Sequence, residues 1–172
     1  AAFGGGLCIL GVLFLTIGQV LRHSERLAER SRVDTRSNLY NEAGFFANGG
    51  EIFQTARRRG EPFTLVLLQA SDLRDASQLL GRRAASALFE QTVKGIEGAT
   101  PPGGIAARTD AVEFAVAVAG VGKDRAEALL HQRLGRPLQV KVQLGGTEAA
   151  IMLDAVVSEA PPEVHTLEDL YD

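Results

Sequence analysis

Arg108-Thr109-Asp110-Ala111-Val112-Glu113-Phe114-Ala115-Val116-Ala117-Val118 is the stretch on which the reading of this chain turns. Ile105 to Arg108 and Glu113 to Val118 are short runs of small and β-branched residues, and the polar residues between them reverse the chain, so a β-hairpin is expected. Its tip carries two acids, Asp110 and Glu113, beside Arg108. That composition is compatible with a nucleotide or metal site and also with the plainer reading of a solvated turn.

A chain of 172 residues, 45% hydrophobic and 23% charged, is long enough for one globular domain with a proper core and one further element. The net charge of −3 argues against nucleic acid as a partner, because a phosphate-tracking surface needs an excess of Lys and Arg. Cys8 is the only cysteine, and His23, His131 and His165 are scattered, so neither a disulfide framework nor a zinc site or catalytic triad is expected. No cofactor is expected either.

Ala1 to Leu21 carries no charged side chain, and Thr16 and Gln19 are its clearly polar residues. About 20 helical residues span a hydrocarbon core, so residues 1–21 are expected to form a transmembrane helix. A signal peptide fits less well, since no basic region precedes the apolar run and no small-residue cleavage site follows it. Arg22, His23, Arg26, Arg30 and Arg32 come next, against Glu25 and Glu29. Positive charge marks the cytoplasmic flank, which puts the rest of the chain in the cytoplasm beneath the inner membrane. Residues 22–33 are expected to be a helical linker.

The soluble part begins near Asp34. Phe45, Phe46, Ile52, Phe53 and Ala56 give Asn41 to Arg59 an amphipathic helical pattern that ends in Arg57-Arg58-Arg59 before Gly60, with Gly49-Gly50 as a place where the helix could break in two. Phe63 to Leu68 is a nearly continuous apolar run, the pattern of a strand buried on both faces at the centre of a sheet. Asp72 to Lys94 reads as a long helix interrupted by Gly81, followed by a loop from Gly95 to Gly104. Lys123 to Leu134 is a third helix, and Leu138–Leu144 and Ala149–Ser158 are two strands joined at Gly145-Gly146. Thr166 caps a last helix start, with Asp169 three residues on. The sum is an α+β fold, a mostly antiparallel sheet of about five strands flanked by helices.

The same residues resemble the GGDEF, or diguanylate cyclase, family. Its opening signature Asp-x-Leu-Thr-Gly-Leu-x-Asn-Arg-x-x-Phe is echoed from Asp34 to Phe45, keeping Asp34, Leu39, Asn41 and Phe45. The family's strand-turn motif, Asp-x-Asp-x-Phe-Lys-x-Ile-Asn-Asp-x-x-Gly-His, falls on Gln69 to Arg82, with Gly81 retained and Leu73 and Arg74 in place of Phe and Lys. The naming hairpin falls on Ala107 to Val116, and Thr166 to Leu170 is similar to the start of the family's final helix, which this chain is expected to leave incomplete. The resemblance covers Asp34 to Asp172 in one register, a GGDEF/nucleotidyl-cyclase-like domain.

What the resemblance implies about chemistry is that the site should have lost it. Condensing two nucleoside triphosphates needs divalent cations, and Mg²⁺ prefers carboxylate oxygen. The two metal-binding acids of the family fall on Gln69 and Val112, and the second acid of the strand-turn motif on Ser71. The guanine-reading Asn and the acid assisting it become Ser77 and Ser86, and the two phosphate-cradling glycines become Asp110 and Ala111. A carboxylate at Asp110 repels a triphosphate. Asp72, beside a lost ligand position, is a weak substitute because its side chain is expected to point another way. The family's product-inhibition motif Arg-x-x-Asp would fall on Pro101-Pro102-Gly103-Gly104 and is absent.

The expectation is therefore a catalytically inactive, membrane-anchored GGDEF-like protein that works through contacts with other membrane or cytoplasmic proteins, with itself or with an active GGDEF relative. The alternative is a module that senses a nucleotide or cyclic di-GMP through Arg108, Ser77 and Ser86. An active cyclase is the least favoured reading.

Overall fold

The structure is a computed structural model and describes residues 31–172. Asn41 opens the first helix, α1 (Glu42–Arg59), by accepting a hydrogen bond from the Gly44 amide at 2.8 Å. Gly60 closes it in the left-handed conformation, φ 65°, and its amide reaches back to the Ala56 and Arg57 carbonyls. Gly49-Gly50 does not divide this helix. Gly49 is instead a point of close approach, since a Cβ there would stand 2.6 Å from Leu167 Cδ2.

After α1 come β1 (Phe63–Gln69), a 3₁₀ turn over Ser71–Leu73, and α2 (Ala76–Ala99). The expected interruption falls on Gly81, whose φ of 79° and ψ of 163° are not helical. The helix then runs five residues past the expected end at Lys94, carrying Gly95 within it. Gly95 is where Val140 packs, for a Cβ there would lie 2.7 Å from its Cγ2. A glycine read as a loop signal is here a contact site between helix and hairpin.

The quoted stretch forms the expected hairpin of β2 (Ile105–Arg108) and β3 (Glu113–Ala119). Then follow α3 (Lys123–Leu134), β4 (Gln139–Leu144), β5 (Thr147–Met152), β6 (Asp154–Glu159) and α4 (Leu167–Tyr171). Thr166 caps α4, accepting from the Asp169 amide at 3.1 Å.

The expectation of one sheet of about five strands needs correcting. The main sheet has four strands in the order β2-β3-β1-β6, every neighbouring pair antiparallel, while β4 and β5 form a separate two-stranded sheet. The run expected as a single strand, Ala149–Ser158, divides at the buried Leu153, whose amide donates to the Leu138 carbonyl at 3.0 Å. No Gly or Pro marks that switch, so nothing local announces it. Gly145 and Gly146 do turn β4 into β5, both at positive φ.

β1 lies between β3 and β6, and period-2 alternation gives its two faces different partners. Val66 and Leu68 join Leu88, Phe89, Val93 and Ile96 of α2 and Leu130 and Leu134 of α3. Phe63 and Leu65 join Phe45, Phe53 and Ala56 of α1 and Leu167 of α4. The basic end of α1 ties down the chain before α4, because Arg57 donates to the carbonyls of Pro161 and Val164.

The expected transmembrane segment, residues 1–21, and the linker up to residue 30 lie outside the described residues. Val33, the last linker position, bridges to Tyr40. Among the described residues no helix is long and apolar enough to cross a membrane.

Candidate functional site

Backbone hydrogen bonds fold the hairpin tip onto itself. The amides of Thr109 and Asp110 both donate to the Glu113 carbonyl, at 3.0 and 3.3 Å, and the Ala70 amide holds the Val112 carbonyl at 2.8 Å. Val112, in the position where the resemblance asks for a metal-binding acid, is only 3% exposed. It offers an isopropyl group to the interior and no ligand atom to solvent. Asp110 and Ala111 are exposed at the tip.

Gln69 ends β1 in register with Glu113 on one side and Asp154 on the other. The Glu113 carboxylate is held within the protein: Oε1 accepts from the Thr109 hydroxyl at 2.7 Å and from the Tyr171 hydroxyl at 2.5 Å. Burial pushes the Tyr171 phenol up to about 12, with the hydrogen bond to Glu113 and its charge acting in the same direction. Tyr171 also packs against the rings of Phe45 and Phe46.

Arg108 lies on the other side of the hairpin. Its Nη1 stands 3.1 Å from Asp34 Oδ1, and its Nη2 donates to the Ala111 carbonyl at 3.1 Å. The guanidinium also sits 5.1 Å from the centre of the Phe89 ring, which Arg36 approaches at 4.1 Å, so two cations share one π system. Arg108 Nε is buried with no hydrogen-bond partner. Burial acts to raise the Asp34 carboxyl, but the Ser37 hydroxyl and amide and the Arg108 charge outweigh it and hold its pKa below the usual carboxylate value.

A shallow cleft of about 480 Å³ runs beside Arg108, lined by Asp34, Asn41, Glu42, Thr109, Asp110 and Ala111 among others. The serines are elsewhere: Ser71 is in the 3₁₀ turn and Ser77 and Ser86 are exposed on α2. None of them lines this cleft. Asp72 turns aside as expected, its Oδ2 accepting from the Met152 amide at 3.1 Å and so fastening the 3₁₀ turn to β5. Among the described residues no group of three or more His, Cys, Asp or Glu is placed to hold a metal ion. Gln69, Ser71 and Val112 as a donor set do not suit Mg²⁺, which needs carboxylate charge.

The sequence reading missed Tyr171, Thr109 and Phe89 as members of this constellation. Tyr171 lies 58 positions from Glu113 and has no local pattern to point to it. Asp34 was visible as a motif residue, but its pairing with Arg108, 74 positions away, was not.

The family model described as "Diguanylate cyclase, GGDEF domain" matches residues 31–172. The chain belongs to the GGDEF family. Among solved structures it is similar to a sensory box/GGDEF family protein from Caulobacter crescentus, at 22% identity and a TM-score of 0.70, covering 82% of this chain and 91% of that one. The GGDEF domain of DgcB from the same organism, solved in complex with c-di-GMP, is 17% identical with a TM-score of 0.66 and 81% of each chain covered. SiaD from Pseudomonas aeruginosa, a diguanylate cyclase solved with its activator SiaC, is 16% identical with a TM-score of 0.68, covering 92% of this chain and 62% of that one. At these identities the likeness is one of fold. The comparison with curated proteins finds no match.

Proposed function

We propose that this chain is a catalytically inactive GGDEF protein, anchored in the cytoplasmic membrane by residues 1–21, with residues 34–172 in the cytoplasm acting by protein–protein contact. Its role is that of a scaffold or regulatory subunit, with a second copy, an active GGDEF relative or another membrane or cytoplasmic protein as partner. The observation that carries the reading is Val112, a buried apolar side chain where the chemistry needs an exposed carboxylate. Gln69 cannot supply the missing charge, and Glu113 is already held by Thr109 and Tyr171. That SiaD, which is similar in fold, was solved in complex with its activator SiaC supports a protein partner for such a chain.

The test is to incubate the full chain, solubilised in detergent, with GTP and Mg²⁺. No cyclic di-GMP should form, and its formation overturns the reading. A pull-down from solubilised membranes then identifies the partner.

A second reading, a non-catalytic sensor of a nucleotide or cyclic di-GMP, rests on the cleft beside Arg108. Asp34, Glu42 and Asp110 line the same cleft and oppose a phosphate group there. Calorimetric titration with GTP, GDP and cyclic di-GMP separates the two readings. Tight binding that disappears in Arg108→Ala favours the sensor.

A further inference from the structure

Two of the most exposed apolar side chains among the described residues are sequence neighbours on α2, whereas Val156, also exposed, stands on β6. Leu79 is 77% and Leu80 54% exposed, at the end of the single helical turn that precedes the Gly81 kink. Ser77 to Arg83 is an unbroken run of seven exposed residues. Folding normally avoids two adjacent bare leucines, because their apolar surface is covered more favourably than it is hydrated. Arg82 and Arg83 follow at once, and the run contains no acid. The Gly81 conformation, φ 79°, is what turns the Leu pair out of line with the rest of α2.

We propose that this stretch is a lipid-docking wedge. Leu79 and Leu80 enter the boundary between headgroups and acyl chains of an anionic bilayer, while Arg82 and Arg83 stay at the level of the lipid phosphates. Charge complementarity selects the occupant: an apolar tip with adjacent arginines suits a negatively charged lipid surface, where aliphatic groups are buried and cations remain at the interface. The inference rests on the membrane-anchored reading. A tethered domain meets the bilayer at high effective concentration, so a wedge this small can act, whereas a freely diffusing domain would bind weakly.

The test uses the full chain in vesicles. In a Cys8→Ser background, Leu80→Cys or, as a control at the start of β5, Thr147→Cys is labelled with an environment-sensitive fluorophore. Flotation of the vesicles reports on the anchor separately from the probe. Expected is co-flotation together with a blue-shifted emission at position 80, quenched by spin-labelled lipid, in phosphatidylglycerol-containing vesicles. The shift should shrink severalfold in pure phosphatidylcholine and in Arg82→Glu/Arg83→Glu, and position 147 should show none. A chain that floats while its probe at position 80 stays water-like overturns the wedge and leaves the anchor standing. A chain that does not float overturns the anchor, and the wedge with it. A blue shift that is indifferent to lipid charge and grows with protein density overturns the wedge in favour of contact between two copies.

Discussion

The Arg108 guanidinium and the Asp34 carboxylate meet at 3.1 Å with side chains only 16% and 20% exposed, joining the hairpin to the turn before α1. Asp34 also accepts from the Ser37 amide at 2.8 Å and hydroxyl at 2.7 Å, so one carboxylate organises the turn and fastens it to the sheet. Charge-assisted hydrogen bonds with this little exposure contribute more than surface ion pairs. Arg108→Ala should lower stability by about 2 kcal/mol and Asp34→Asn by about 1–2 kcal/mol. A double-mutant cycle by urea denaturation should show the two losses to be non-additive.

The same pair predicts an acid limb. Asp34 titrates below its ordinary value of 3.8 in the folded state, so its contribution is complete above that pH and is lost as pH falls through the lower, folded value. Stability measured against pH should fall less steeply below pH 3.8 in Asp34→Asn than in the parent protein.

Tyr171 gives the opposite sign at the alkaline end. Its folded pKa is raised from 10.0 to about 12, so its stabilising effect is full below pH 10.0 and disappears as pH rises towards 12. The chain has two tyrosines, which makes the group observable alone in Tyr40→Phe. Ultraviolet titration of that variant should place phenolate formation near pH 12 while the protein stays folded. Tyr171→Phe should cost about 1–2 kcal/mol, having left Glu113 with one donor fewer.

Gly49 and Gly50 are neighbours with opposite predicted responses. At Gly49 an added methyl would press on Leu167, itself almost fully buried, so Gly49→Ala should destabilise by about 1–3 kcal/mol. At Gly50 a Cβ meets nothing within 4 Å, and Gly50→Ala should stabilise by up to about 1 kcal/mol through helix propensity. Thermal melts of the two variants should move in opposite directions.

On the proposed inactive reading, an acid introduced at position 112 should not bring about cyclase chemistry. Val112→Asp puts a carboxylate into an almost closed position, at a cost of about 2–5 kcal/mol, and leaves Gln69 uncharged. The variant should melt lower than the parent and still form no cyclic di-GMP from GTP and Mg²⁺.

Much of the fold was legible because its signals are local. The apolar run Phe63–Leu68, the glycine at 81 and the cap at Thr166 each specify a short piece of backbone, and each lies where expected. The division of Ala149–Ser158 was not legible, because both halves prefer extended backbone and the choice of neighbour is made by packing at Leu153. The site divides in the same way. Residue types at 69, 110, 111 and 112 could be read directly, whereas the engagement of Glu113 by Tyr171 depends on where α4 comes to rest. Glycine was the least transparent residue: Gly49 and Gly95 look like breaks and serve as contacts.

The switch at Leu153 makes one length of chain serve two sheets. With no loop between β5 and β6 there is no slack, so a tug on the β4–β5 hairpin is delivered along the backbone to β6 and, through its ladder, to β1 at the heart of the domain. A protein that grips this hairpin would hold a lever whose short arm ends beside Gln69.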